Sequence, residues 1–381
     1  MVNEKKIRIV VKIGSNLITE NNNILNYDVM EDLCDQISSI HTSGHQVIIV
    51  SSGAVAAGLQ YISSFDNKIT ISNSSIIQKQ ILASIGQPIL MSAYEKCFSK
   101  NNKAISQALL SKDDIENRLG YLNIRNTLNQ LLNLGIIPIV NENDVVSTHE
   151  LINRAYGDND RLSAMVSNVI DSDILILLGS IDALYTSDPN LDSNAVKIKL
   201  VEDINEKIIE YAQGPIDGIG SGGMISKIQA ADISINSGTD MFIVSGTESN
   251  VIKRIISGEE IGTKFISKQS IHESKKRWLM TGYSSSKGEI ILDLGAIKAI
   301  NSKSSILPAG VISVAGKFNR GDIIGIKNSK SKIIGWGISN YSSSEISKIK
   351  GINSSKIKDI VEKNYGSEIV HRNNLVLTIQ K

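Results

Sequence analysis

Four segments of this 381-residue chain put residues suited to handling anions at points where the backbone turns. In VVKIGSN (residues 10–16) an apolar run ends in Lys12 and turns at Gly14. Ligands of open α/β sheets sit at the carboxyl ends of strands, where this lysine would emerge. Read alone, the segment also fits a solvated lysine on a strand-to-helix turn. In GIGSGGMISK (residues 218–227) four glycines run into a helix whose first turns present Lys227. Glycines permit positive φ and let backbone amides approach a phosphate, while the lysine adds a point charge. The spacing is not that of a Walker loop, because Lys227 lies four positions after Gly223 and is followed by Ile228.

The other two segments carry small and acidic residues. VSSGAVAAG (residues 50–58) breaks an apolar run into Ser51, Ser52 and Gly53 before a stretch of small residues. Such residues admit a ligand to the backbone or allow close packing of a helix, and both readings are open. NEND (residues 141–144) and GDND (residues 157–160) gather carboxylates and amides that can hold an ammonium group, a carboxylate or a hydrated metal ion. They can equally form turns. GDNDRLSA opens an apolar-periodic helix, which favours a site, with Asp160 also a candidate helix cap.

Other chemistries find little support. GxGxxG in a first βαβ unit, HExxH and GxSxG are all missing, which disfavours a dehydrogenase, a zinc hydrolase or a serine hydrolase. His41, His45, His149, His272 and His371 are scattered without ligand spacing, and no metal site is expected. Cys34 and Cys97 read as buried free thiols.

The elements that must position these residues are those of a layered α/β domain. Short apolar runs at residues 7–11, 47–50, 104–109, 136–140, 174–178 and 241–244 alternate with helical patterns. Most are apolar throughout, as buried parallel strands are. Between the first two, Val29, Leu33, Ile37 and Ile40 recur at helical spacing and Gly44 supplies a stop. From about residue 276 the pattern changes to short apolar runs broken by Gly and Ser, at 288–294, 310–314 and 322–326, as in a small, mainly β domain. The charge changes with it: residues 276–381 carry 17 Lys and Arg against 7 Asp and Glu, or +10, leaving −9 for residues 1–275. The expected division is a catalytic domain over 1–260, a linker over 261–275 and a second domain over 276–381. No apolar run approaches the roughly 18 to 20 residues of a spanning helix, and no secretory pattern opens the chain, so a cytoplasmic location without membrane contact is expected.

Taken in order, VVKIGSN, VSSGAVAAG, LASIGQ (residues 82–87), NEND, GDNDRLSA, DALYTSDP (residues 182–189) and SGGMISK resemble the amino acid kinase family, in particular its members that phosphorylate glutamate. The basic tail resembles the PUA domain. The resemblance implies an α/β/α kinase domain with a mainly parallel central sheet, followed by a small PUA-like domain. It implies ATP-dependent phosphorylation of the side-chain carboxylate of L-glutamate, the first step toward proline, with Mg²⁺ accompanying the nucleotide. By position, Lys12 and Lys227 match phosphate-binding lysines and Asp160 the aspartate that orients them. Ser52, Asp144 and Asn159 match glutamate-binding positions. Gly14, Gly179, Ser180, Ser221, Gly222, Gly223, Met224, Ile225 and Ser226 join the two lysines on the nucleotide side. The resemblance further implies homo-oligomers, feedback by proline and channelling to glutamate-5-semialdehyde dehydrogenase.

One departure concerns the nucleotide. Before DALYTSDP the family carries Ser or Thr followed by Asp, and this chain has Gly179 and Ser180. Asp182 supplies a carboxylate two residues later, offset on an extended segment, so nucleotide affinity or base preference is expected to differ. Two alternatives compete with glutamate phosphorylation. One is a sister kinase for acetylglutamate, aspartate or carbamate; Asp144 argues against the first, whose blocked amine offers no ammonium. The other is an RNA-binding or RNA-regulated protein acting through the basic tail.

Overall fold

The computed structural model describes residues 6–19, 24–65, 75–146, 158–189, 191–213, 222–267, 287–302 and 304–377. Its contacts divide the chain into two compact units, Met1–Glu116 with Ile124–Ser270, and Asn117–Asn123 with Ile271–Lys381. Among the described residues no helix is long and apolar enough to cross a membrane.

The first unit begins with β1 (Arg8–Ile13), α1 (Ser15–Ile18), α2 (Tyr27–Thr42), β2 (Gln46–Ser51), α3 (Ala54–Ser63), α4 (Ile76–Ser99) and β3 (Ile105–Leu110). It continues through α5 (Lys112–Glu116), the part of α6 (Arg118–Asn133) from Ile124 on, β4 (Ile137–Glu142), α7 (Asp158–Ile170), β5 (Ile174–Gly179), β6 (Leu184–Tyr185), β7 (Lys197–Ile198) and β8 (Leu200–Val201). α8 (Glu206–Gln213), α9 (Gly222–Ser237), β9 (Asp240–Ser245), α10 (Val251–Ile256) and β10 (Thr263–Phe265) complete it. Eight strands form one sheet in the order β3-β4-β2-β1-β5-β9-β10-β8, parallel throughout except where β10 runs against β9.

Side-chain alternation along these strands sorts the sheet into two faces. Ile9, Val11 and Ile13 of β1, Val47 and Ile49 of β2, Ile176 and Leu178 of β5, and Phe242 and Val244 of β9 share one core with α2, α4 and α10. Val10 and Lys12 therefore face the other side, where α7 and α9 lie against β1, β5 and β9. α2 follows the helical spacing of its sequence, with Asn26 capping Val29 N–H and Gly44 (φ +96°) releasing the chain into β2.

α3 and α4 approach each other as closely as helices can. A Cβ on Gly58 would lie 2.0 Å from the Leu82 carbonyl oxygen, and one on Gly86 would lie 1.8 Å from that of Ala54. The small residues of VSSGAVAAG thus serve helix packing at Gly58. At Gly53 (φ +99°) they serve the tight entry into α3, in a conformation L side chains rarely adopt.

Thr263–Phe265, placed by the Gly and charge pattern in a linker, forms β10 instead, and Phe265 is fully buried. A three-residue strand is too short to show periodicity, so only its neighbours' composition was readable. β3 is an edge strand with a half-exposed face, unlike the buried strands beside it.

The second unit holds β11 (Gly288–Leu292), α11 (Leu294–Asn301), β12 (Val311–Gly316), β13 (Ile323–Lys327), β14 (Ile333–Ile338), α12 (Ser343–Ile349) and β15 (Leu375–Leu377). The sheet order is β12-β11-β13-β14-β15, antiparallel except between β11 and β13. Asp293 caps α11, and a capping box between Ser342 and Glu345 starts α12.

Candidate functional site

Lys12 pairs in register with Val50 of β2 and Leu177 of β5, so its side chain rises from the centre of the sheet on the α7 side. There it meets Asp160, in the first turn of α7. Lys12 Nζ lies 2.7 Å from Asp160 Oδ1, and Lys227 Nζ, from the first turns of α9, lies 2.9 Å from Oδ2. Ser226 Oγ is 2.9 Å from that same Oδ2 and 2.9 Å from the Gly223 carbonyl. Asp160 is fully buried, and both lysine side chains are nearly so. Its carboxylate serves the lysines, not a helix cap.

Burial by itself pushes the Asp160 carboxyl up, but the charges and hydrogen bonds of Lys12 and Lys227 outweigh it and hold the group below its ordinary value. Two ammonium groups thus stand on one buried carboxylate. The concentration of positive charge favours an incoming anion.

The next residue along, Asn159, belongs to a second cluster. Its Nδ2 donates to Ser52 Oγ at 2.8 Å and to the Ser51 carbonyl at 3.1 Å, at the carboxyl end of β2. Asn141, at the end of β4, places Oδ1 3.4 Å from the same nitrogen. α7 thus presents adjacent side chains to two different sites.

Asp144 follows β4 in a turn that Gln80 holds by donating to the Asp144 and Val145 carbonyls, each at 3.1 Å. Among the described residues no cation pairs with its carboxylate. Burial, with the Glu142 carboxylate adding to it, pushes the Asp144 carboxyl up to about 7. An ammonium group arriving there would favour the ionised form.

At the place expected to meet the nucleotide, β5 stops at Gly179, whose carbonyl accepts from Gly246 N–H at 2.9 Å. Gly14 N–H donates to the Leu178 carbonyl at 3.0 Å, and a Cβ on Gly14 would crowd that oxygen at 3.2 Å. Ser180 is exposed, and the nearest atom to a Cβ on Gly179 would be Ile181 N at 3.9 Å, so this place has room for a side chain. Asp182 does not fill it. Its carboxylate accepts from Tyr185 Oη and lies 3.1 Å from Lys197 Nζ. Gly222, Gly223, Met224 and Ile225 form the first turn of α9; Ser221 lies outside the described residues, as does Gly157.

Among the described residues no group of three or more His, Cys, Asp or Glu side chains could hold a metal ion, and both oxygens of Asp160 face lysines. These residues do not build a cage for Mg²⁺. Sequence motifs assigned no role to Gln87, which receives a hydrogen bond from Asn141, or to Tyr94, which meets Ser51. The signal was a polar residue at the end of LASIGQ on an otherwise apolar helix face.

Comparison with known proteins supplies the family. Residues 8–245 match the model of the amino acid kinase family, and residues 288–361 match that of the PUA domain. A glutamate 5-kinase of Dehalococcoides mccartyi (strain 195) is 43% identical over 376 residues, covering 97% of this chain and 98% of that one. One of Carboxydothermus hydrogenoformans is 41% identical, covering 97% of each. One of Methanococcoides burtonii is 39% identical, covering 99% of this chain and 100% of its own.

Proposed function

This chain belongs to the amino acid kinase family, among its glutamate 5-kinases, and from that premise we infer that it transfers the γ-phosphoryl group of ATP to the side-chain carboxylate of free L-glutamate. The product, γ-glutamyl phosphate, opens the route to proline. The observation that carries this reading is the pair of lysines on one buried carboxylate.

The acceptor needs no base, because a glutamate side chain with a reference pKa of about 4.3 is already ionised at pH 7. The barrier lies in bringing that anion up to a polyanionic donor. Positioning and positive charge at the transferring phosphoryl group lower it. In this reading Lys12 and Lys227 turn their ammonium groups to the phosphoryl oxygens, and Asp160, held ionised between them, fixes where they stand. The amides of the α9 first turn and the backbone near Gly14 receive the remaining phosphates. Mg²⁺, carried by the nucleotide phosphates, would neutralise part of their charge.

Ser52 and Asn159 orient the substrate, and Asp144 pairs with its ammonium group. An acetylated amine could not answer that carboxylate, which favours free glutamate over acetylglutamate. A coupled ADP-release assay across glutamate, acetylglutamate, aspartate and carbamate tests the reading. Turnover confined to a substrate other than glutamate would overturn it.

The PUA match at residues 288–361, within the segment 276–381 of net charge +10, supports a second, weaker activity, binding of RNA. A gel shift of the full chain at low salt, lost as salt rises, is the expected result; no shift at low salt removes the activity.

A further inference from the structure

α4 carries two polar side chains on its buried face, Gln87 and Tyr94, two turns apart. Each reaches a strand end that supports the substrate cluster. Tyr94 Oη lies 2.8 Å from Ser51 Oγ, and Gln87 Oε1 accepts from Asn141 Nδ2 at 2.8 Å.

The direction of these bonds is set by the backbone. Glu142 N–H donates to Asn141 Oδ1 at 2.9 Å, which fixes the orientation of that amide. Its Nδ2 must then find an acceptor on the far side, and Gln87 Oε1 is that acceptor. The Ser51 carbonyl likewise fixes Asn159, whose Nδ2 faces it and Ser52 Oγ together. Asn141 Oδ1 borders Asn159 Nδ2 from the β4 side. Gln87, Asn141, Asn159 and Ser52 therefore form one relay from α4 to the end of β2.

Gln87 is 8% exposed, and its Nε2 is buried with no hydrogen-bond partner among the described residues. A core position filled for packing alone would be better served by Leu or Met, which leave no donor unsatisfied. The polar side chain is explained by what its other end does. Its height is fixed by the preceding residue, since Gly86 sits at the closest approach of α4 to α3.

We propose that Gln87 is a positioning residue for glutamate: through Asn141 it holds Asn159, and with it the Ser52 hydroxyl, in the orientation that receives the substrate. The proposal rests on the assignment of Ser52 and Asn159 to the glutamate site. Gln87 does not itself touch substrate, because its amide is shielded from solvent.

Steady-state kinetics of Gln87→Met, Gln87→Glu and Asn159→Ala test it. Gln87→Met keeps the length and loses the acceptor, so the glutamate KM rises about 5- to 50-fold while the ATP KM stays within about twofold, on the scale of one stranded buried donor. Gln87→Glu keeps an acceptor oxygen toward Asn141 and holds the glutamate KM within about threefold of the parent. An unchanged glutamate KM in Gln87→Met, or an equal rise in both KM values, overturns the proposal. If Gln87→Met does not fold, the Gln87→Glu value decides, and a tenfold rise there overturns it. Asn159→Ala separates the two layers. If it raises the glutamate KM while Gln87→Met does not, the proposal fails and the glutamate site stands; if it too has no effect, both fall.

Discussion

Lys12 and Lys227, from opposite ends of the first unit's sequence, stand on different oxygens of one carboxylate, at 2.7 and 2.9 Å. The arrangement keeps two ammonium groups close together, where in the proposed reaction both would face the transferring phosphoryl group. Lys12→Ala and Lys227→Ala are each expected to lower kcat by about 10²- to 10³-fold, the scale for removing one charge-stabilising donor. The coupled ADP-release assay measures this. A loss below tenfold in either variant would remove that lysine from the transition state.

With Asp144 as the proposed partner of the substrate ammonium group, glutamate binding is expected to be pH-dependent with a defined sign. Its carboxyl, pushed up to about 7, is protonated below that pH and cannot pair with the substrate ammonium. Binding strength is full above about pH 7 and weakens as pH falls. The glutamate KM is expected to rise by up to about tenfold per unit between pH 7 and 5.5, a range in which free glutamate barely changes charge. Asp144→Asn should flatten that slope and raise the glutamate KM at pH 8 far more than the ATP KM. A parent KM that stays level from pH 8 to 5.5 contradicts the assignment.

The sequence made some of these residues visible and hid others for physical reasons. Lys12 and Lys227 stood out because one closes an apolar run and the other comes after a glycine-rich turn, places where a strand or helix end opens to a ligand. Their meeting on Asp160 could not be read from spacing, since parity along β1 and the placement of α7 and α9 decide it. Gly58 stood in a segment open both to a ligand and to close helix packing, Gly86 had no assigned role, and only the helix crossing shows that they face each other. Gln87 closes the LASIGQ segment, but nothing in its spacing gives it a role beyond its polarity. β10 was missed because three residues cannot display a period.

That helix crossing is itself testable. A Cβ on Gly86 would meet the Ala54 carbonyl at 1.8 Å and the Gly58 nitrogen at 2.4 Å, both backbone atoms that cannot rotate away. Gly86→Ala should cost about 1–3 kcal/mol of stability by overpacking. It should also raise the glutamate KM, because α3 begins immediately after Ser52 and Gly53 and must move. Urea denaturation and steady-state kinetics read the two effects. A variant as stable as the parent would show that the helices separate without strain.

The far end of α7 depends on a buried cation. Arg125 of α6 is 1% exposed, and its guanidinium bonds to the Val169 carbonyl and the Asp171 carboxylate. Val169 lies in the last turn of α7, where carbonyls lack intrahelical partners and a positive charge is favoured. Replacing Arg125 by Met fills much of the space but strands the Val169 carbonyl and takes the guanidinium from the partly exposed Asp171 carboxylate, at a cost of about 1–3 kcal/mol, the scale for an unsatisfied buried group. Adding Asp171→Asn removes the carboxylate that has lost its guanidinium, so the double variant should be more stable than Arg125→Met alone. Because the other end of α7 carries Asn159 and Asp160, Arg125→Met should lose activity at a lower urea concentration than the parent, in step with its unfolding. A double variant no more stable than Arg125→Met would show that the guanidinium acts through packing and the Val169 carbonyl, not through its charge pairing.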